Sequence, residues 1–241
     1  MYRKFGINIV SLFPWSWGKG GPQRCMSMAT QAGFNGIQYL PMRGWGKVNG
    51  FEPKIISFED AWNWGPWWKV PRRLIGLDED APRLLDWLVF RQSKSPNFGN
   101  AIPTKHFFST HVVTEIHPEL STDPDVYSRL AVNGSKFCWD THHATRRTAD
   151  GKEGLRSWRN LLRELVQLEA ISLIHLHLTR EEIPDFLAST GDSIEMLETL
   201  RYTDHSVPVI VEIAPPMMSY VQSVKFFKKL LQTTRKLMLR F

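Results

Sequence analysis

The segment Phe137-Cys138-Trp139-Asp140-Thr141-His142-His143 carries the residues best suited to chemistry. A short apolar run ends in a carboxylate, and a histidine follows three residues later. Glu115, His175, His177 and Glu212 each sit at or near the end of another short apolar run. Carboxylate and imidazole groups delivered from several strand ends are the donors a divalent-metal site needs. A barrel of parallel strands collects such ends on one face.

Each residue also has an ordinary explanation. Taken alone, Glu115 reads more readily as an exposed strand-end carboxylate. Asp140 suits a cap on the turn that follows it. His175 or His177 alone could be a satisfied interior histidine. Glu212 is harder to explain away: it follows Val-Ile-Val and precedes Ile-Ala-Pro-Pro, so it is expected to be buried. A buried carboxylate needs a cation or a partner. Side chains alternate across a strand. His111, Val113, Glu115 and His117 therefore share one face, as do Cys138 and Asp140, Leu173, His175 and His177, and Ile210 and Glu212. On these faces an apolar residue precedes the polar group, which lies nearer the C-terminal end. That is the plan of a barrel, with packed core below and chemistry above.

The elements that must position these residues alternate between strands and helices. Strands are expected at Phe5 to Phe13, Gly36 to Pro41, Ile55 to Phe58, Phe107 to Ile116, Lys136 to Asp140, Ile171 to Leu178 and Val207 to Ile213. Leu237 to Phe241 is a faint eighth. Helices are expected at Gln23 to Ala32, closed by Gly33, and at Ala81 to Arg91, with Pro82 in its first turn. Others are expected at Asp123 to Ala131, Leu155 to Leu168, Asp192 to Tyr202 and Ser219 to Thr234. This order predicts an α/β fold, a single TIM (β/α)8 barrel domain over residues 1–241, with weak third and eighth strands. An open doubly wound sheet is the alternative, but the first strand–turn–helix lacks GxGxxG and no GxxxxGK[ST] occurs. The stretch from Asn63 to Pro103 is long, Pro-rich and irregular, as a lid or a partly ordered excursion would be.

The 241 residues are ample for one such core. Hydrophobic residues at 42% and charged residues at 22% describe an ordinary globular chain. No apolar run approaches the ~20 residues that cross a bilayer, and no secretory leader is visible behind Met1. Cys25 and Cys138 form no CxxC, which suits a cytoplasmic setting, with Cys138 as a small buried hydrophobe. The net charge of +6 is compatible with phosphorylated substrates or nucleic acid and proves neither. Arg72-Arg73, Arg146-Arg147 and the helix from Lys225 to Arg240 carry much of it, the last reading as a solvated face. Ten tryptophans are many for this length. Trp62, Trp64, Trp67 and Trp68 cluster in one loop-like stretch, where packing is favoured over walling a sugar pocket.

The pieces Asp140-Thr141-His142-His143, Val113-Thr114-Glu115, His175-Leu176 and Val211-Glu212-Ile213 resemble motifs of the xylose isomerase-like barrel superfamily. That group holds sugar isomerases and epimerases, inosose dehydratases and endonuclease IV. Ala32-Gly33-Phe34-Asn35-Gly36-Ile37-Gln38 is similar to its A-G-[FY]-[DE]-G-[IV]-E. The resemblance runs from Gly6-Ile7-Asn8 to Glu212-Ile213. It implies that Glu115, Asp140, His175 and Glu212 bind one divalent metal (Mn²⁺, Mg²⁺, Co²⁺ or Zn²⁺). Glu115 and Glu212 would also move the proton of a sugar or sugar-like substrate. His143, facing substrate or a second metal, would join His177 and Trp15 on the substrate side. A metal bridging a carbonyl and a neighbouring hydroxyl stabilises an enediolate, and a nearby carboxylate acts as base.

The expected function is thus a metal-dependent sugar isomerase or epimerase. An endonuclease IV-like phosphodiester hydrolase and a non-catalytic barrel are the alternatives. The departures from the pattern are specific. His175-Leu176-His177-Leu178 stands where H-x-x-D is usual, so either histidine could be the ligand. Gln38 stands where a Glu is usual. No histidine precedes His106 to match the early ligands of endonuclease IV, which disfavours nucleic acid as the partner. Membrane partners are not expected, and the oligomeric state is left open.

Overall fold

A parallel strand buried on both faces reads as a near-continuous apolar run, and Ile171–Leu178 forms the longest strand among the described residues. The computed structural model describes residues 3–12, 14–15, 20–39, 54–58, 85–90, 109–116, 124–145, 158–214 and 217–238. Within them eight strands close into a barrel in chain order. These are β1 (Phe5–Asn8), β2 (Gly36–Tyr39), β3 (Lys54–Phe58), β4 (Leu85–Phe90), β5 (Ser109–Glu115), β6 (Phe137–Asp140), β7 (Ile171–Leu178) and β8 (Val209–Ile213). Every neighbouring pair is parallel, and β8 pairs back onto β1. The helices of the described residues are α1 (Gly21–Ala32), α2 (Pro124–Val132), α3 (Trp158–Gln167), α4 (Glu182–Leu187), α5 (Asp192–Leu200) and α6 (Tyr220–Met238). None is long and apolar enough to cross a membrane.

Helix periodicity places the outer layer. Trp158, Leu161, Leu162 and Leu165 make one buried stripe on α3. On α6, Phe227, Leu230, Leu231 and Met238 are buried, while Lys225, Lys228 and Lys229 are exposed as expected of a solvated face. Gly33 ends α1 at φ 94°, and the Phe34 N–H reaches back to the Ala29 carbonyl at 2.9 Å. Arg235 of α6 donates to the Gly33 carbonyl at 2.8 Å, tying the last helix to the end of the first.

Inside the barrel, Val113, Cys138, Leu173 and Ile210 form a separate buried cluster. They are the apolar residues that precede Glu115, Asp140, His175 and Glu212 on the same strand faces. The packed layer under the polar layer is therefore present. Cys138 lies within it, and burial together with Glu115, Asp140 and Glu212 pushes its thiol pKa well up.

Three expectations are corrected. The span Ala81 to Arg91 is not a helix: Leu85–Phe90 is strand β4. Pro82 suggested a helix start, but Trp87, Val89 and Phe90 are strand formers, and the segment pairs with β3 on one side and β5 on the other. Leu237 to Phe241 is not the eighth strand, because α6 runs through Met238; residues 239–241 lie outside the described residues. The first strand stops at Asn8 rather than Phe13, giving way to a 3-10 turn over Ile9–Leu12. That turn is tied to β8, with the Ile213 N–H donating to Ser11 Oγ at 2.9 Å. The four clustered tryptophans, Arg72-Arg73, Arg146-Arg147 and most of the Asn63 to Pro103 stretch lie outside the described residues.

The barrel closes tightly at Gly6. A Cβ there would lie 2.5 Å from Ile210 Cδ1 and 2.9 Å from the Gly36 carbonyl carbon. Gly6→Ala is expected to displace Ile210 from the interior layer at a cost of about 1–3 kcal/mol. At roughly 2–4 °C per kcal/mol for a domain of this size, the thermal midpoint should fall by several degrees. An unchanged midpoint in a circular dichroism melt would refute the tight β1–β8 packing.

Candidate metal centre

Four neighbouring strands and the turn after β6 deliver six polar side chains to one end of the barrel. Glu115 closes β5, Asp140 closes β6, His175 and His177 lie on β7, and Glu212 lies on β8. Asp140 stands beside His175, and His177 beside Glu212. His143 enters from the turn after β6. Glu115, Asp140, His143 and His175 are each at most 2% exposed. The side chains of His177 and Glu212 keep 21% and 12% of their surface, so the site opens on the β7–β8 side.

The two oxygens of Asp140 do different work. Oδ1 accepts the backbone N–H groups of His142 at 2.9 Å and His143 at 2.7 Å, which fixes the turn. The capping role read from the sequence is thus real, but it uses only half the carboxylate. Oδ2 faces three imidazoles, with His177 Nδ1 at 3.2 Å, His143 Nδ1 at 3.3 Å and His175 Nδ1 at 3.7 Å. Thr141 then clamps β6 to β7. Its hydroxyl donates to the His177 carbonyl at 2.9 Å and accepts the His177 N–H at 3.0 Å.

Glu115 also spans the group. Its Oε1 accepts His143 Nδ1 at 2.7 Å, and its Oε2 lies 3.8 Å from His175 Nδ1. Glu212 Oε2 lies 3.9 Å from the same nitrogen and accepts Asn8 Nδ2 at 3.0 Å. The other nitrogen of His175, Nε2, is 2.8 Å from Gln38 Oε1. Asn8 and Gln38 are register partners on β1 and β2, and both are buried. The sequence reading did not place either in the site. The available signal was positional: Asn8 ends the run Phe5-Gly6-Ile7-Asn8 as Glu115 and Asp140 end theirs.

The electrostatics follow from crowding. Burial works to raise the Asp140 pKa, but the His143 and His177 imidazoles outweigh it and hold the carboxyl well below its usual range. Burial works to lower the histidines, yet Asp140 and Glu115 push His143 up to about 10. His175 and His177 are also raised against their burial by the surrounding carboxylates. The group holds its negative charge only with positive charge among it.

A divalent cation fits that demand. His175 Nδ1 is buried, has no hydrogen-bond partner among the described residues, and faces carboxylate oxygens of Glu115, Asp140 and Glu212 at 3.7–3.9 Å. Two donor triads share Asp140: one is Glu115–Asp140–His175 and the other Asp140–His143–His177. Six of the seven residues singled out by sequence are therefore gathered here. Trp15 is not among them. Its half-buried ring meets Tyr220 edge-on at 5.5 Å, and its indole N–H has no partner among the described residues. His117 and the His111 side chain lie outside the described set. His142, not singled out before, packs its ring 4.8 Å from His177 and lies 3.7 Å from Glu182.

No protein-family model and no curated protein matches the sequence. The likeness is to solved structures. D-allulose 3-epimerase from Methylomonas sp. superposes with TM-score 0.56 at 10% identity, over 98% of this chain and 98% of that one. A structure of the same enzyme in complex with D-allulose matches with the same score and identity. The IolI protein with a binding zinc atom gives 0.54 at 12%, covering 98% of each chain. AsfvAP, in the AsfvAP:AG structure, gives 0.55 at 14%, over 99% of this chain and 100% of that one. At such identities the likeness is one of fold alone, that of a closed parallel α/β barrel.

Thr141 provides a test of the site's construction. Thr141→Val would strand the N–H and carbonyl of His177 beside a methyl group, at about 1–3 kcal/mol for each group left unpaired. A clear loss of midpoint in thermal unfolding is expected for Val, and near wild-type stability for Thr141→Ser. Equal stability of the three proteins would remove the β6–β7 clamp.

Proposed function

We propose that this chain is a divalent-metal-dependent isomerase or epimerase of a small sugar or sugar-like substrate, working by proton transfer beside a carbonyl. The observation that carries the reading is the buried, partnerless Nδ1 of His175 facing three carboxylates. The fold likeness to an epimerase crystallised with D-allulose and to a zinc-bearing IolI supports it. Glu115, Asp140, His175 and Glu212 would hold one ion, with Mn²⁺, Mg²⁺, Co²⁺ and Zn²⁺ all compatible with such donors. A divalent ion bound there supplies Lewis acidity, which polarises a carbonyl and acidifies the adjacent C–H.

The residues then divide the work. Glu212 is the accessible carboxylate, on the wall of a pocket of about 390 Å³ shared with His177, Thr179 and Arg180. That volume lies within the range of small-molecule sites. Asn8 donates to Glu212 Oε2 at 3.0 Å and would orient the carboxylate that takes the proton. Glu115 is sealed beneath and bonded to His143, so it would exchange its proton through that imidazole. His143 and His177 would face the substrate. Carboxylate ligands that also act as acid and base would account for a Glu at both positions.

A second reading is a phosphodiester hydrolase carrying more than one ion. The Asp140–His143–His177 triad and the fold likeness to AsfvAP favour it. The third, a barrel that binds metal without turnover, is separated from both by assay. The deciding experiment is elemental mass spectrometry of the purified protein beside an Asp140→Ala/Glu212→Ala double variant. About one equivalent in the wild type, absent from the variant, is expected. Two or three equivalents would favour the hydrolase, and none after reconstitution with Mn²⁺ or Zn²⁺ would end the metal-enzyme reading. On a panel of ketoses and aldoses, Glu212→Gln is expected to reduce turnover by about 10²–10⁴-fold. Undiminished turnover would contradict the proton-transfer role.

A further inference from the structure

We propose that Gln38 is a positioning residue that makes Nδ1 the metal-facing atom of His175, a reading that rests on the metal centre proposed above. An imidazole can offer either ring nitrogen to a metal, and the hydrogen bond made by the other decides which. Here Nε2 is 2.8 Å from Gln38 Oε1. An amide oxygen only accepts, so Nε2 carries the proton in either charge state of the ring. The lone pair or second proton is then left at Nδ1. That atom lies 3.7–3.9 Å from the three carboxylates, beyond hydrogen-bond length, so they do not fix the ring. Its orientation is set from the Gln38 side.

Two features set Gln38 apart from packing. Its side chain is 0% exposed, yet its Nε2 has no hydrogen-bond partner among the described residues. A residue serving only to fill that space would be apolar, since a buried unpaired amide is unfavourable. The amide is also neutral. The site already collects three carboxylates, and a fourth at this position would add another buried negative charge. An amide oxygen orients the ring without that addition. Its register neighbour Asn8 does the matching task for Glu212, again with a neutral group.

The test compares wild type, Gln38→Met and Gln38→Glu, with thermal unfolding verifying that each folds. Metal affinity is read by competition for Zn²⁺ with a chromophoric chelator. The ring N–H of His175 is read by proton NMR of chelator-stripped, ¹⁵N-histidine-labelled protein, assigned by its absence from His175→Asn. Wild type is expected to show a slowly exchanging Nε2–H. Gln38→Met, which cannot accept it, should lose that signal and bind Zn²⁺ about 10–100-fold more weakly. Gln38→Glu keeps an acceptor and should restore both. A wild type without the slowly exchanging proton, or a Gln38→Met protein unchanged in signal and affinity, would overturn the proposal. Failure of every protein to bind Zn²⁺, with the proton still dependent on Gln38, would instead leave the orientation intact and remove the metal-centre reading beneath it.

Discussion

Three carboxylates meet at one end of a closed barrel, and those of Glu115 and Asp140 are almost wholly removed from water. Two like charges about 4 Å apart repel by about 4 kcal/mol at an effective dielectric of about 20. A net hydrogen bond returns about 1 kcal/mol. A few N–H donors therefore cannot hold the group together, and cationic charge is required. The protein's own answer is imidazole: His143, His175 and His177 surround Asp140 Oδ2, and all three have raised pKa values. A divalent ion would supply the same charge in a smaller volume, and His175 Nδ1 is a buried donor atom with no hydrogen-bond partner among the described residues.

The barrel makes this crowding possible. Strand ends converge on one face whatever the sequence between them. Convergence alone would not fix atoms to a few tenths of an ångström. That falls to short-range bonds: the Asp140 turn, the Thr141 clamp between β6 and β7, and the amides of Asn8 and Gln38 on β1 and β2. Underneath, Val113, Cys138, Leu173 and Ile210 exclude water from below.

How much of this was legible in the sequence depended on the range of the interaction that decides each part. β5 to β8 and the polar residues near their ends follow from alternation within a few residues, and the fold brings those side chains together. β4 did not, because Leu85–Phe90 becomes a strand by pairing with β3 and β5, while the local cue at Pro82 pointed to a helix. α4 was readable yet unread. Thr179-Arg180-Glu181-Glu182 is a capping box, with the Thr179 N–H donating to Glu182 Oε2 at 2.7 Å and the Glu182 N–H reaching Thr179 Oγ1 at 3.4 Å. Asn8 and Gln38 escaped for a different reason. A neutral amide carries no charge signature, and its partner lies 204 residues away for Asn8 and 137 for Gln38. Only barrel closure brings β1 and β2 against β8 and β7's histidine.

The two glutamates, equivalent in the motif, are not equivalent in the fold. Glu115 is 1% exposed with both oxygens turned toward histidines, whereas Glu212 sits on a pocket wall beside Arg180. A symmetric pair would suit a reaction in which either carboxylate meets the substrate directly. An asymmetric pair suits one in which Glu212 meets it and Glu115 works through His143. His143 would then be more than a substrate contact. Its Nδ1 lies 2.7 Å from Glu115 Oε1, and its ring lies 5.1 Å from that of His177, whose side chain is 21% exposed. The D-x-x-H spacing would thus matter for two reasons: it places Asp140 as a ligand and sets His143 between a buried carboxylate and the open side of the barrel.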